Sequence, residues 1–159
     1  MINTSTTDVQ TSKPVSGAFK SILVAVRNRS GAARAIELAA RLATPGTTRV
    51  KVLHLQERVT YPSRSGPIEI ETYKQAIDFA AKMQAELREL GVHGELEVGR
   101  EHTGREAEQI LLAAEDFGAD LIIAGNHRKS GLETLLRGST TRDIVRKSPV
   151  PVLLVRDAN

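Results

Sequence analysis

Leu121-Ile122-Ile123-Ala124-Gly125-Asn126-His127-Arg128 is followed by nine residues and then by Gly138-Ser139. Four apolar residues ending on a glycine read as a short buried strand and a turn. The stretch from Thr140 to Lys147 reads as a helix. A strand, a glycine turn and a Gly-Ser helix start form a common phosphate-holding arrangement. Glycine permits close approach of the backbone, and the unpaired N–H groups of a helix start point at an anion.

Working outward, strands and helices alternate along the chain. Ser21–Val26 is a β-branched apolar run, a buried strand. Ser30 is placed to cap a helix reaching about Ala43, with Ala35, Ile36, Ala39 and Leu42 on one face, and Pro45-Gly46 breaks it. Val50–Gln56 is a second strand, followed by a polar loop from Thr60 to Pro67. Thr72 and Gln75 form a capping box for a long helix to Leu90, with Gly91 beyond its end. Its expected stripe is Ile77, Ala80, Met83, Leu87 and Leu90. Glu95–Val98 reads as a polar edge strand. Thr103 and Glu106 suggest another capping box, for a helix ending at Phe117-Gly118. Leu121–Gly125 and Val150–Val155 are the last two strands. This β-α-β-α-β-α-β-α-β order implies one doubly wound α/β domain, a five-stranded parallel sheet with helices on both faces. It is expected over residues 19–159, behind a disordered polar tail at residues 1–18.

Composition narrows the function classes. The chain has 159 residues, enough for one domain with its own core. Aromatics are 3% of it and tryptophan is absent, which argues against a base-stacking nucleic-acid platform. There is no cysteine, so disulfides, thiolate catalysis and Cys–zinc sites are excluded. No membrane-length apolar run and no signal-peptide pattern are present, so a cytoplasmic protein is expected.

The net charge is +3, unevenly spread. Residues 125–147 hold six basic side chains (Arg128, Lys129, Arg137, Arg142, Arg146, Lys147) against two acids (Glu133, Asp143), a surplus of four, which leaves −1 on the rest. Arg27, Arg29 and Arg34 form a second basic group. Such a pattern reads either as a solvated face or as an anion site. The four histidines, His54, His93, His102 and His127, show no metal-binding spacing. His54 reads as structural. The P-loop, nucleophile-elbow and dinucleotide fingerprints are absent.

Several blocks together resemble the universal stress protein family: Ser21-Ile-Leu-Val-Ala-Val, Val52-Leu-His-Leu, Ala119-Asp-Leu-Ile-Ile-Ala-Gly, Ser130-Gly-Leu with Leu135-Leu-Arg-Gly-Ser, and Ser148-Pro-Val-Pro-Val-Leu-Leu-Val. Their order and spacing agree over roughly residues 20–156. The resemblance implies an adenine nucleotide α-hydrolase-like fold with strand order 3-2-1-4-5. Strands one and four are then neighbours, and ligands bind where their C-terminal ends part. It also implies that Gly125, Gly138, Ser139 and Thr140 contact phosphates through backbone and hydroxyl groups. Ala25, Val26, Arg27 and Asn28 at the end of strand one complete the candidate set, with Asn126, His127, Arg128 and Lys129 in the loop and Thr141 on the last helix.

Two positions depart from the family pattern. Arg128 stands where the family has the second glycine of its G-x-x-G motif. If a positive φ is required there, arginine costs about 1–2 kcal/mol, whereas a guanidinium beside phosphate contributes about 1.5–3 kcal/mol. Arg27 stands where ATP-binding members carry an aspartate that contacts the nucleoside.

The resemblance therefore implies a non-catalytic stress-response regulator with an adenine nucleotide, such as ATP with Mg, or another phosphorylated ligand at the switch point. It also implies a homodimer through the edge strand Val150–Val155 and a regulatory protein partner, with no role for membrane or nucleic acid. The alternative is a member that has lost ATP binding through Arg27 and Arg128 and acts through protein contacts only. An enzyme of the PP-loop or adenylyl-transfer type would need a Ser-Gly-Gly-x-Asp-Ser or His-x-x-His signature after strand one. Arg27-Asn28-Arg29-Ser30 supplies neither.

Overall fold

Ser21–Val26 forms β1 and is buried along its whole length. A strand apolar on both faces belongs at the centre of a covered parallel sheet, and β1 sits there. The computed structural model describes residues 19–27, 29–56, 58–60, 67–69, 71–100, 104–126 and 139–156. In chain order the elements are β1, α1 (Arg29–Leu42), β2 (Arg49–Gln56), β3 (Arg58–Thr60), β4 (Pro67–Glu69), α2 (Tyr73–Glu89), β5 (Gly94–Arg100), α3 (Glu106–Phe117), β6 (Leu121–Asn126), α4 (Ser139–Lys147) and β7 (Val152–Arg156). The main sheet has the order β5-β2-β1-β6-β7, all parallel. Counted along the main sheet alone, this is the expected order 3-2-1-4-5. The expected tail, residues 1–18, lies outside the described residues.

Two apolar layers cover the sheet. On one face Ile22, Val24, Val50 and Val52 pack with Ala35, Ile36 and Ala39 of α1 and Phe79, Met83 and Leu87 of α2. On the other, Leu23, Ala25, Leu53 and Ile122 pack with Ala107, Ile110 and Ala113 of α3 and Ile144 of α4. The helix ends follow local chemistry. Thr72 caps α2 with the reciprocal box to Gln75, satisfying two otherwise orphaned N–H groups. Gly118 closes α3 in the left-handed conformation, φ 67°, its N–H bonding back to the last turn.

The structure corrects several sequence expectations. The buried stripe of α2 is Ala76, Phe79, Ala80, Met83 and Leu87, while Ile77 and Leu90 are exposed. The helix is rolled so that Phe79, the larger residue, enters the core. Helix α1 begins at Arg29, so Ser30 lies in its first turn instead of preceding it. Arg105 precedes α3 without a side-chain cap bond; Thr103, the expected cap, lies outside the described residues. The stretch read as a loop is flanked by β3 and β4, which pair antiparallel from Arg58–Glu69 to Thr60–Pro67. Three-residue strands are too short for alternation to reveal, and Pro67 is tolerated because it opens its strand.

The polar edge is β5. Lys51 pairs with Glu97 at 3.0 Å and Arg49 with Glu95 at 3.2 Å. Charges along an edge discourage further strand pairing. The opposite edge, β7, is apolar.

Candidate functional site

The topology places the site before any side chain is considered. Each helix joins two parallel strands and so runs back against them, which brings every helix start to the C-terminal edge of the sheet. From β1 the chain crosses through α1 to β2, and from β6 it crosses through α4 to β7 on the other side. Strands β1 and β6 are therefore the neighbours at which the order reverses. Their last paired residues are Ala25 and Ala124. Beyond these, Val26-Arg27 and Gly125-Asn126 run on past the end of the ladder. The starts of α1 and α4 flank this crevice from opposite faces. A helix start carries N–H groups that lack an intrahelical partner and the positive end of a helix dipole.

Gly125 has a second reason to be glycine. A Cβ there would lie 3.2 Å from the Gly31 carbonyl oxygen and 3.3 Å from its carbonyl carbon. The missing side chain thus lets the first turn of α1 settle directly on the end of β6. Gly125 has no positive φ, so close packing and not backbone conformation selects it. The sequence suggested close approach of an anion at this position; the approach seen is that of α1.

Ala25 and Val26 are buried at the floor of the crevice, and Arg27 is exposed at its rim. Ser139 is the first residue of α4, and Thr140 and Thr141 are half-buried in its first turn. The Thr140 hydroxyl donates to Glu106 Oε2 at 3.4 Å, tying the starts of α4 and α3 together. Asn126 closes β6. Asn28, His127, Arg128, Lys129 and Gly138 lie outside the described residues, so the structure brings together Ala25, Val26, Arg27, Gly125 and Asn126 from the sequence-derived set, with Ser139, Thr140 and Thr141 at the α4 start.

One cluster beside the crevice went unread in the sequence. His54, 1% exposed, directs Nδ1 to the Val26 carbonyl oxygen at 2.9 Å and Nε2 to Glu71 Oε2 at 2.8 Å. The ring thus bridges a main-chain carbonyl and a carboxylate from within the core. Phe79 meets the ring edge-on, centroids 4.8 Å apart. Two residues further along β2, the Gln56 amide nitrogen donates to the Glu71 carbonyl at 2.7 Å, while Gln56 Oε1 is buried with no partner among the described residues. These contacts brace the end of β1 against the segment that leads into α2. The sequence signal for them was one histidine and one glutamine in the buried second half of β2.

A cavity of about 320 Å³ lies elsewhere, between α1 and α2, over Ala33, Phe79 and Met83 and rimmed by Asp78, Lys82 and Glu86. None of the sequence-derived site residues lines it, and its acids suit no anion. Among the described residues no group of three His, Asp or Glu side chains is placed to hold a metal ion. No helix among them is long and apolar enough to cross a membrane.

The profile of the universal stress protein family matches residues 18–156. The chain belongs to the universal stress protein family. A universal stress protein of Thermus aquaticus is 37% identical over 140 residues, covering 87% of this chain and 99% of the relative. The fold of this family member is shared by the universal stress protein of Archaeoglobus fulgidus solved in complex with dAMP, at a TM-score of 0.60 and 24% identity, covering 85% and 96% of the two chains. It is shared also by an Arabidopsis thaliana universal stress protein family protein solved with AMP bound, at a TM-score of 0.57 and 14% identity, covering 87% and 92%. The parallel sheet of this member is thus an adenine nucleotide α-hydrolase-like fold.

Proposed function

We propose that this universal stress protein is a non-catalytic, cytoplasmic stress-response regulator that binds an adenine nucleotide, or another phosphorylated ligand, at the crevice between β1 and β6. The observation that carries the reading is the convergence of the ends of β1 and β6 with the starts of α1 and α4, in a fold whose relatives have been solved with dAMP and AMP. Backbone N–H groups of two helix starts and the hydroxyls of Thr140 and Thr141 suit phosphate. Asn28, Asn126, His127, Arg128, Lys129, Gly138 and Ser139 would complete the ring. Mg would arrive on the nucleotide phosphates, since the described side chains form no metal cluster of their own. A bound anion would alter the surface offered to a regulatory protein partner.

The chain would act as a homodimer through β7, the apolar sheet edge. Leu153 is 36% exposed there, and the outer side of β7 has no neighbour in the sheet among the described residues. Pro151 removes one ladder donor just before the strand, although its carbonyl accepts from the Ile122 N–H at 3.0 Å.

Arg27 favours a second reading, in which ATP binding has been lost and only protein contacts remain. An exposed arginine holds the rim where family members that bind ATP offer a carboxylate to the nucleoside. Calorimetric titration of the purified protein with Mg-ATP at physiological salt decides between the two. The first reading expects micromolar binding; no heat up to near-millimolar nucleotide would overturn it in favour of the second.

A further inference from the structure

We infer that His54 is a positioning residue for the ligand: it fixes the last peptide of β1 at the floor of the crevice. The inference rests on the proposed nucleotide site and adds to it a residue that lies behind the binding surface. Val26 is where β1 leaves its ladders. The last pair with β6 is Ala25 with Ala124, and the last pair with β2 is Val26 with His54. Beyond that point the sheet no longer sets the direction of the backbone. The His54 side chain takes over, with Nδ1 2.9 Å from the Val26 carbonyl oxygen.

A peptide group turns as one rigid plane about the soft dihedrals that flank it. Released from His54, the plane between Val26 and Arg27 would have more than one orientation open to it, and a ligand would have to select one. His54 makes that selection in advance. Its ring is 1% exposed and stands on an inner strand that stays paired with β5 as far as Gln56. Phe79 of α2 meets the ring edge-on, centroids 4.8 Å apart, and Nε2 lies 2.8 Å from Glu71 Oε2. A polar group locked by packing and by a second contact imposes its own precision on the group it holds. The Glu71 contact orients the ring, and the Val26 contact does the positioning. A brace that served stability alone would draw on both contacts and leave the affinity of the folded protein unchanged.

Two substitutions separate the contacts. The amide of His54→Asn places a nitrogen near the position of Nδ1 and falls short of Glu71; the amide of His54→Gln places one near the position of Nε2 and misses Val26. Displacement of a fluorescent ATP analogue by AMP and ATP is measured on the full-length protein and on both variants, each first shown by urea unfolding to be folded in the assay buffer. His54→Gln is expected to weaken AMP and ATP by the same factor, about threefold to tenfold, the net contribution of one hydrogen bond. His54→Asn is expected to recover most of that loss. Equal affinities in all three proteins, or equal losses in both variants, would overturn the inference while leaving the nucleotide site standing. A loss that grows with the number of phosphates would overturn it too, by placing the effect at the α4 start. If the variants do not fold, NMR of the His54 ring in the parent protein decides: an Nδ1 signal unmoved by saturating ATP supports a contact made in advance, and a shifted one overturns it. Failure of the analogue to bind the parent would instead overturn the nucleotide site itself, and the positioning role with it.

Discussion

Gly125→Ala is the most informative single change, because two explanations of this glycine predict opposite signs. If Gly125 serves only to let an anion approach, a methyl group does no harm to the ligand-free protein. Alanine then stabilises it by about 0.4–1 kcal/mol through the entropy of the unfolded chain. The structure argues otherwise. The new methyl would lie 3.2 Å from the Gly31 carbonyl oxygen and 3.3 Å from its carbon. Both are backbone atoms of α1, which cannot turn aside as a side chain would. Relief requires a shift of the α1 start by a few tenths of an ångström, and overpacking of this kind costs about 1–3 kcal/mol. Taking the low end for so small an overlap, about 1–2 kcal/mol, and subtracting the entropic gain leaves a net loss of about 0.5–1 kcal/mol. For a domain of this size that lowers Tm by roughly 1–4 °C. Urea and thermal unfolding of the variant measure it directly. An unchanged or raised stability would refute the packing argument. Gly118→Ala is the matched contrast: among the described residues nothing lies within 4 Å of its Cβ position, but φ is +67°, so its loss, about 1–2 kcal/mol, comes from backbone conformation.

Three further outcomes follow from the same geometry. His54→Leu removes the ring contacts to the Val26 carbonyl and the Glu71 carboxylate, and should cost about 1–3 kcal/mol in urea unfolding; a loss below about 0.5 kcal/mol would mean that the brace is immaterial. Thr72→Ala removes the capping box of α2 and should cost about 1 kcal/mol by the same measurement. Leu153→Asp places a charge on the exposed edge strand and should turn a dimer into a monomer in analytical ultracentrifugation. A variant that sediments like the parent would exclude β7 as the interface.

The sheet was legible because its inner strands are short, mostly apolar runs separated by helices with punctuated ends. Strand β1 needed no alternation to be read, since both of its faces are covered. Gly91 and Gly118, and the box of Thr72 and Gln75, marked helix boundaries that the structure keeps. What the sequence hid were choices made by tertiary packing. Whether Phe79 or Ile77 faces the core depends on how α2 rolls against β2, and both residues fit a helical stripe. The partnership of Glu106 with Thr140 spans 34 positions, whereas the nearer pattern with Thr103 was the one visible locally. Gly125 carried a readable signal, but the neighbour that makes it necessary, Gly31, comes from another element. His54 showed its polarity in the sequence and not its two acceptors.

Hydrogen exchange with and without saturating Mg-ATP locates the ligand on the fold. Protection is expected at residues 25–31, 124–126 and 139–142, the ends of β1 and β6 and the starts of α1 and α4. Protection concentrated instead on the α1–α2 cavity around Phe79 and Lys82, or no protection at the crevice, would contradict it.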